Sequence, residues 1–153
     1  MTALELRIPP PVLAGLFAFL MWLVARELPG LHMTLPGATF VAGALAAAGV
    51  ILCLTGVLQF RLAQTTVNPL KPNAAASLVT SGVYRFTRNP MYLGLGVVLL
   101  GWAVYLANPA TVIVIAAFIA CITRLQIVPE ERALDANFGA AFDAYRSRVR
   151  RWL

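Results

Sequence analysis

The sequence predicts an all-α integral membrane protein with four transmembrane helices, and three observations carry that prediction. Of its 153 residues, 60% are hydrophobic and only 12% charged, against roughly 25% charged in soluble domains, and the mean hydropathy is +0.80. The apolar residues are gathered into runs long enough to cross a bilayer. The basic residues flank those runs instead of dispersing over them. The length allows one domain, 1–153, with no room for a separate soluble one. A net charge of +6 could suit nucleic acid, but cations placed beside apolar runs fit positive-inside topology and attraction to anionic lipid. Nucleic acid is therefore excluded as a partner, and no obligatory protein partner is evident.

The first span is placed at 11–28; Arg26 and Glu27 at its end can snorkel to the interface. With Glu5 and Arg7 ahead of it and no small-residue cleavage site behind it, the run reads as a retained span and not a signal peptide. The second span, 38–60, is rich in small residues. Gly43 and Ala47 have the small-xxx-small spacing of close helix contacts, which predicts a central place in the bundle. Spans three, 91–107, and four, 110–128, are separated only by Asn108-Pro109, which predicts a tight antiparallel hairpin. Arg124 near the end of the fourth is either a snorkelling anchor or a functional group. With four spans, every Lys and Arg except Arg26 falls on the side of the two termini, which are therefore expected to be cytoplasmic.

The connection 61–90 carries Asn68-Pro69 and Lys71-Pro72, and at that length a loop is usually functional. After Val128, Pro129 suits a first helical turn and Glu130-Glu131 suit its dipole, so a final helix is expected over 130–151. Leu134, Phe138, Phe142, Tyr145, Val149 and Trp152 recur three and four apart, making it amphipathic and placing it on the membrane surface. Gly139 in its middle costs about 1 kcal/mol relative to Ala and marks a kink or a close approach. Cys53 and Cys121 lie inside apolar runs as packing residues, and a lone His32 completes no metal site.

Two polar constellations stand out. In Tyr84-Arg85-Phe86-Thr87-Arg88-Asn89-Pro90, Asn89 suits an N-cap and Pro90 a first helical residue, so a helix start lies beside two arginines, as a carboxylate or phosphate would require. Plain interfacial anchoring explains the same arginines. Glu130-Glu131 could bond a ribose diol or an ammonium, act as acid and base, or only compensate a helix dipole. Four-span topology brings both constellations to one face, where a zwitterionic cofactor could dock.

The stretch from Asn68-Pro69-Leu70-Lys71-Pro72 through Thr80-Ser81-Gly82-Val83-Tyr84 and Arg88-Asn89-Pro90-Met91-Tyr92-Leu93-Gly94, followed by Glu130-Glu131, Phe138-Gly139, Tyr145 and the Arg-Trp ending, resembles bacterial members of the isoprenylcysteine carboxyl methyltransferase and phospholipid methyltransferase superfamily. The resemblance covers roughly 61–153. It implies an S-adenosylmethionine-dependent methyltransferase of the bacterial inner membrane, acting on a hydrophobic or lipid-like acceptor: a carboxylate, a thiol or a lipid amine. It implies a cofactor pocket lined by Arg88, Asn89, Pro90, Tyr92, Leu93 and Gly94, with Glu130 and Glu131 on the cofactor's polar groups and Tyr84 and Tyr145 shared with the pattern. Arg85, Arg88 and Glu131 are the candidates for the chemistry, and Arg151 for orienting the acceptor. Many members carry His where this chain has Asn89, which cannot titrate near neutral pH. A reductase of the related sterol reductase type, using NADPH, and a non-enzymatic membrane module are the competing readings.

Overall fold

A computed structural model describes residues 5–6, 8–63 and 77–153, all of its regular structure helical. The helices are α1 Pro10–Glu27, α2 Ala38–Leu62, α3 Pro90–Leu106, α4 Thr111–Ile122, α5 Val128–Phe138 and α6 Ala140–Arg146. Three helical stretches are long and apolar enough to cross a membrane: Pro10–Glu27, Ala38–Leu62 and the continuous Thr111–Phe138. The apolar α3 is slightly shorter, at 17 residues. The Asn68-Pro69 and Lys71-Pro72 segment lies outside the described residues.

Helices α1 to α4 alternate in direction, and hydrogen bonds lace the connections at each end of the bundle. At one end α3 and α4 are joined by residues 107–110 and pack on each other. Asn108 holds this turn: its Nδ2 donates to Leu28 O at 2.9 Å, its Oδ1 accepts the Ala110 N–H, and its carbonyl accepts the Thr111 hydroxyl at 2.7 Å. The Met33 N–H donates to Ala107 O, binding the two connections at that end together. At the other end the Ser81 hydroxyl donates to Gln59 Oε1 at the close of α2, and Gln126 Nε2 donates to Ile8 O ahead of α1.

The helix at the centre is α3, which packs on α1, α2 and α4, whereas α2 packs chiefly on α3. This corrects the expected central place of the second span. The close contact also uses different small residues. A Cβ added at Gly49 would lie 2.5 Å from Gly94 O, one at Gly94 2.5 Å from Cys53 Sγ, and one at Gly101 2.8 Å from Ala42 O. Gly43 meets nothing within 4 Å, and Ala47 is exposed. Gly49 faces Gly94 directly, Gly56 lies against Met91 and Gly101 against Ala42, so a small residue at each level lets the backbones touch. On the opposite side of α3, Leu13, Met21, Tyr92, Leu99, Phe118 and Ile122 form the core with α1 and α4. Phe17 meets Phe118 edge-on at 5.5 Å, and the Trp102 indole donates to Ala18 O at 3.0 Å. Cys53 and Cys121 are unpaired and half-buried.

The region after the fourth apolar run differs from expectation in two ways. No new helix starts at Glu130; instead α4 continues into α5 through a π turn, Thr123–Ile127. The cause is Pro129, whose ring excludes the carbonyl of Leu125, four residues earlier. That carbonyl accepts the Leu6 N–H at 3.0 Å instead, and the widened turn absorbs the mismatch. Arg124 projects outward from it and is exposed.

The expected single helix over 130–151 is also broken. Gly139 adopts φ +46, ψ −121, a backbone conformation available to glycine, and nothing lies within 4 Å of its missing side chain. It is therefore a kink and not a close approach. Helix α6 ends at Arg146, and the remaining residues turn back along the start of α3, where the Arg88 N–H donates to Arg150 O at 3.0 Å.

Candidate functional site

Two of the chain's bends create the site. Pro129 and the π turn deliver Glu130 and Glu131 on α5 toward the start of α3, and the Gly139 kink folds α6 and the tail back over them. The result is a cavity of about 80 Å³ lined by Phe60, Ser77, Leu78, Val79, Tyr84, Arg88, Asn89, Met91, Tyr92, Glu130, Glu131, Leu134, Phe142 and Tyr145.

Its ionic centre is Glu131. Arg151 meets this carboxylate with two bonds, Nε to Oε1 at 3.0 Å and Nη2 to Oε2 at 2.7 Å. Arg88 Nη2 reaches Oε1 at 3.1 Å. A two-pronged Arg–carboxylate contact fixes geometry as well as charge, and the hydrogen-bonded Glu131 holds the Arg151 guanidinium above its usual pKa. Phe142 supports the array from below, with the Arg88 guanidinium 5.9 Å from its ring. Glu130 is bonded differently: the Tyr92 hydroxyl donates to its Oε1. Two arginines and two carboxylates thus share one small, partly buried volume.

The tail is strapped to the start of α3. Arg151 O accepts from Asn89 Nδ2 at 2.9 Å and from the buried Thr87 hydroxyl at 3.3 Å. Asn89 holds the N-cap position of α3 as expected, but not by a side-chain cap. Its side chain makes no cap bond to α3; its Nδ2 is turned to the tail carbonyl, and Thr87 Oγ1 accepts the Asn89 N–H at 3.2 Å. The Tyr145 hydroxyl donates to Tyr84 O at 2.8 Å, closing another wall. Burial pushes both phenols well above their usual pKa, with the Arg88 charge opposing this at Tyr145, so both stay protonated donors across the physiological range. Tyr145→Phe is expected to cost about 1–2 kcal/mol by stranding a buried carbonyl, read as a lower unfolding midpoint in detergent.

Two donors on the cavity wall lack a partner among the described residues, the Tyr84 hydroxyl and Arg88 Nε, both fully buried. Buried polar groups are paired in the great majority of folds, so a cavity with two unpaired donors is suited to a ligand that carries oxygen acceptors.

Of the residues nominated from sequence, Tyr84, Arg88, Asn89, Tyr92, Glu130, Glu131 and Tyr145 line the cavity together. Arg151 stands behind Glu131. The others are placed elsewhere. Gly94 faces Gly49 and Cys53 of α2, Pro90 lies against Gly56, and Leu93 is not on the cavity wall. A helix start exposes one face to a ligand, and these three sit on the others. Arg85 is exposed and lines a separate hollow. The apolar wall of Phe60, Leu78 and Phe142 was not foreseen as part of a site; Phe142 carried only the signal of an amphipathic face. His32 lies exposed at the opposite end of the bundle.

These features define a helical membrane protein with an ionic cluster in a largely apolar cavity where the start of α3, α5 and the folded-back α6 meet. The phospholipid methyltransferase family model matches residues 38–141, and the chain belongs to that family. It is 31% identical over 101 residues to protein-S-isoprenylcysteine O-methyltransferase B of Arabidopsis thaliana, covering 66% of this chain and 51% of the plant protein. The chain thus spans about half the length of that relative and falls in the superfamily joining the two enzyme groups. An uncharacterized protein of Haemophilus influenzae is 40% identical over 63 residues, 41% of this chain and 100% of its own length. No solved structure matches.

Proposed function

We propose that the chain is a single-domain, S-adenosylmethionine-dependent methyltransferase, with four spans and cytoplasmic termini, which methylates a hydrophobic acceptor at the cytoplasmic face. The observation that carries this reading is the pair of buried, unpartnered donors facing two carboxylates within one cavity. The donor set fits a zwitterionic nucleoside cofactor. Tyr84 and Arg88 would donate to a carboxylate, and the oxygen of Glu130 not engaged by Tyr92 would accept from an ammonium or a ribose hydroxyl.

S-adenosylmethionine, when bound, supplies a methyl group on a positively charged sulfur. The chain's own residues would supply position and environment. Glu131, with both oxygens taken by arginines, is a positioning residue: it holds Arg88 toward the cavity and Arg151 where an anionic acceptor would approach. Phe60, Leu78, Leu134 and Phe142 exclude water. Poor solvation favours a displacement in which opposite charges cancel, as they do for a carboxylate or thiolate acceptor; an amine acceptor would need a base, and Glu130 is the group in place.

Ligand pockets for molecules of this size are about 300–1,000 Å³, and the cavity holds about 80 Å³. Binding therefore requires its cover to part. The elements that close it, Ser77–Val79 and α6, rest on the Tyr145–Tyr84 bond and an apolar cluster of Phe142, Tyr145, Val149, Leu78, Leu134 and Phe138.

Calorimetry on the protein in detergent tests the reading. S-adenosylhomocysteine is expected to bind one per chain, and NADPH not at all. NADPH binding would make the protein a reductase, and binding of neither would leave a structural module.

A further inference from the structure

We propose a second site on the outer side of the Tyr145 wall, one that binds the phosphate of an anionic membrane lipid headgroup. Thr80, Ser81, Arg85, Tyr145, Arg148 and Val149 line an open hollow of about 440 Å³ there, within the size range of small-ligand sites. Arg85 and Arg148 are both exposed and neither forms an ion pair among the described residues. The nearby acids are already used: Asp143 pairs with Arg146 at 2.7 Å, and Glu131 with Arg88 and Arg151. Residues 64–76 contain no Asp or Glu that could neutralise either cation. Arg148 is also oriented, since its Nε donates to Ala144 O at 3.0 Å while its terminal nitrogens stay available.

The position selects a lipid over a soluble anion. Ser81 is bonded to Gln59 in the last turns of α2, so the hollow sits level with the end of an apolar helix. Phe86, next to Arg85, is 73% exposed, and so is Leu153 at the end of the tail. Apolar side chains presented beside unpaired cations at such a level match the headgroup layer, where anionic lipid attracts arginine. A phosphodiester brings one charge and two free oxygens for Arg85 and Arg148, with the Thr80 hydroxyl as a further donor. Arg85 follows Tyr84 on one wall of the cavity and Arg148 comes three residues after Tyr145 on another, so one phosphate would tie the two segments together. This site stands whether or not the cavity takes a methyl donor.

The test is a titration of the purified protein, in neutral detergent, with dioctanoyl phosphatidylglycerol, dioctanoyl phosphatidylcholine and inorganic phosphate, bound lipid being counted by native mass spectrometry. Phosphatidylglycerol is expected to bind about tenfold more tightly than phosphatidylcholine. Arg85→Gln with Arg148→Gln should remove that preference, and the two Arg→Lys changes should keep most of it. Each single Gln substitution should give part of the loss, which decides the matter if the double variant does not fold. Equal binding of the two lipids, or an undiminished preference in the Gln variants, would overturn the proposal. Competition by inorganic phosphate at the same concentration as the lipid would overturn it too, as the mark of a soluble-anion site.

Discussion

Replacing Glu131 with alanine is expected to abolish S-adenosylhomocysteine binding and methyl transfer together. The carboxylate accepts three close contacts from two arginines, in a setting where the Arg88 and Glu131 side chains are 13% and 19% exposed. Removing it leaves two guanidinium groups facing each other without a counter-charge. Removing one partner of a fully buried ion pair costs 3–5 kcal/mol; the residual exposure of this site reduces that to about 2 kcal/mol. The functional loss should be larger than the stability loss suggests, because Arg88 would swing toward solvent and take its unpartnered Nε away from the cavity. Glu131→Gln, which keeps the shape and one acceptor, should retain the fold but lose most of the affinity. Glu27→Ala, exposed at the far end of α1, should change neither. If Glu131→Ala binds S-adenosylhomocysteine as tightly as the parent, the ionic centre is a structural clamp and the cavity is not the cofactor site.

Much of this site was legible in the sequence because its parts carry chemistry in local patterns. Arg88-Asn89-Pro90 marks a helix start, and Glu130-Glu131 after an apolar run marks a helix turn at an interface. What the sequence could not convey is which groups pair with which. Arg151 was a candidate for orienting an acceptor, yet its two bonds to Glu131 depend on the tail reversing after α6. The path to that reversal is set by the Gly139 kink ahead of α6, and one glycine in an amphipathic stretch does not reveal the direction of its kink. The continuity of α4 and α5 was hidden for a similar reason. Proline read locally starts a helix, whereas here the released Leu125 carbonyl finds the Leu6 N–H, far away in sequence, and the helix runs on. Arg85 and Arg88, three apart in one motif, looked equivalent; a short 3₁₀ turn over Gly82–Arg85 points them to different hollows.

The largest expected structural effect falls on the contact between α2 and α3. A methyl group at Gly94 would lie 2.5 Å from both Cys53 Sγ and Gly49 O. The sulfur is itself held, since it donates to Met91 O at 3.2 Å, and the carbonyl belongs to helix backbone, so neither neighbour can yield without separating the helices. Gly94→Ala is therefore expected to destabilise the protein by on the order of 3 kcal/mol, at the upper end of overpacking costs. Two residues further along α3, Gly96 has nothing within 4 Å of where its Cβ would be. Gly96→Ala should be neutral or stabilising by up to about 1 kcal/mol, through helix propensity alone. Denaturant unfolding of the two variants side by side in the same detergent compares an identical chemical change in one helix. Because Gly94 sits close behind the start of α3, its substitution should also widen the gap between Phe60 and the cavity wall, lowering S-adenosylhomocysteine affinity in proportion to the lost stability. Equal unfolding midpoints for Gly94→Ala and Gly96→Ala would mean that α2 does not lie against α3 at this glycine, and that the wall supplied by Phe60 belongs elsewhere.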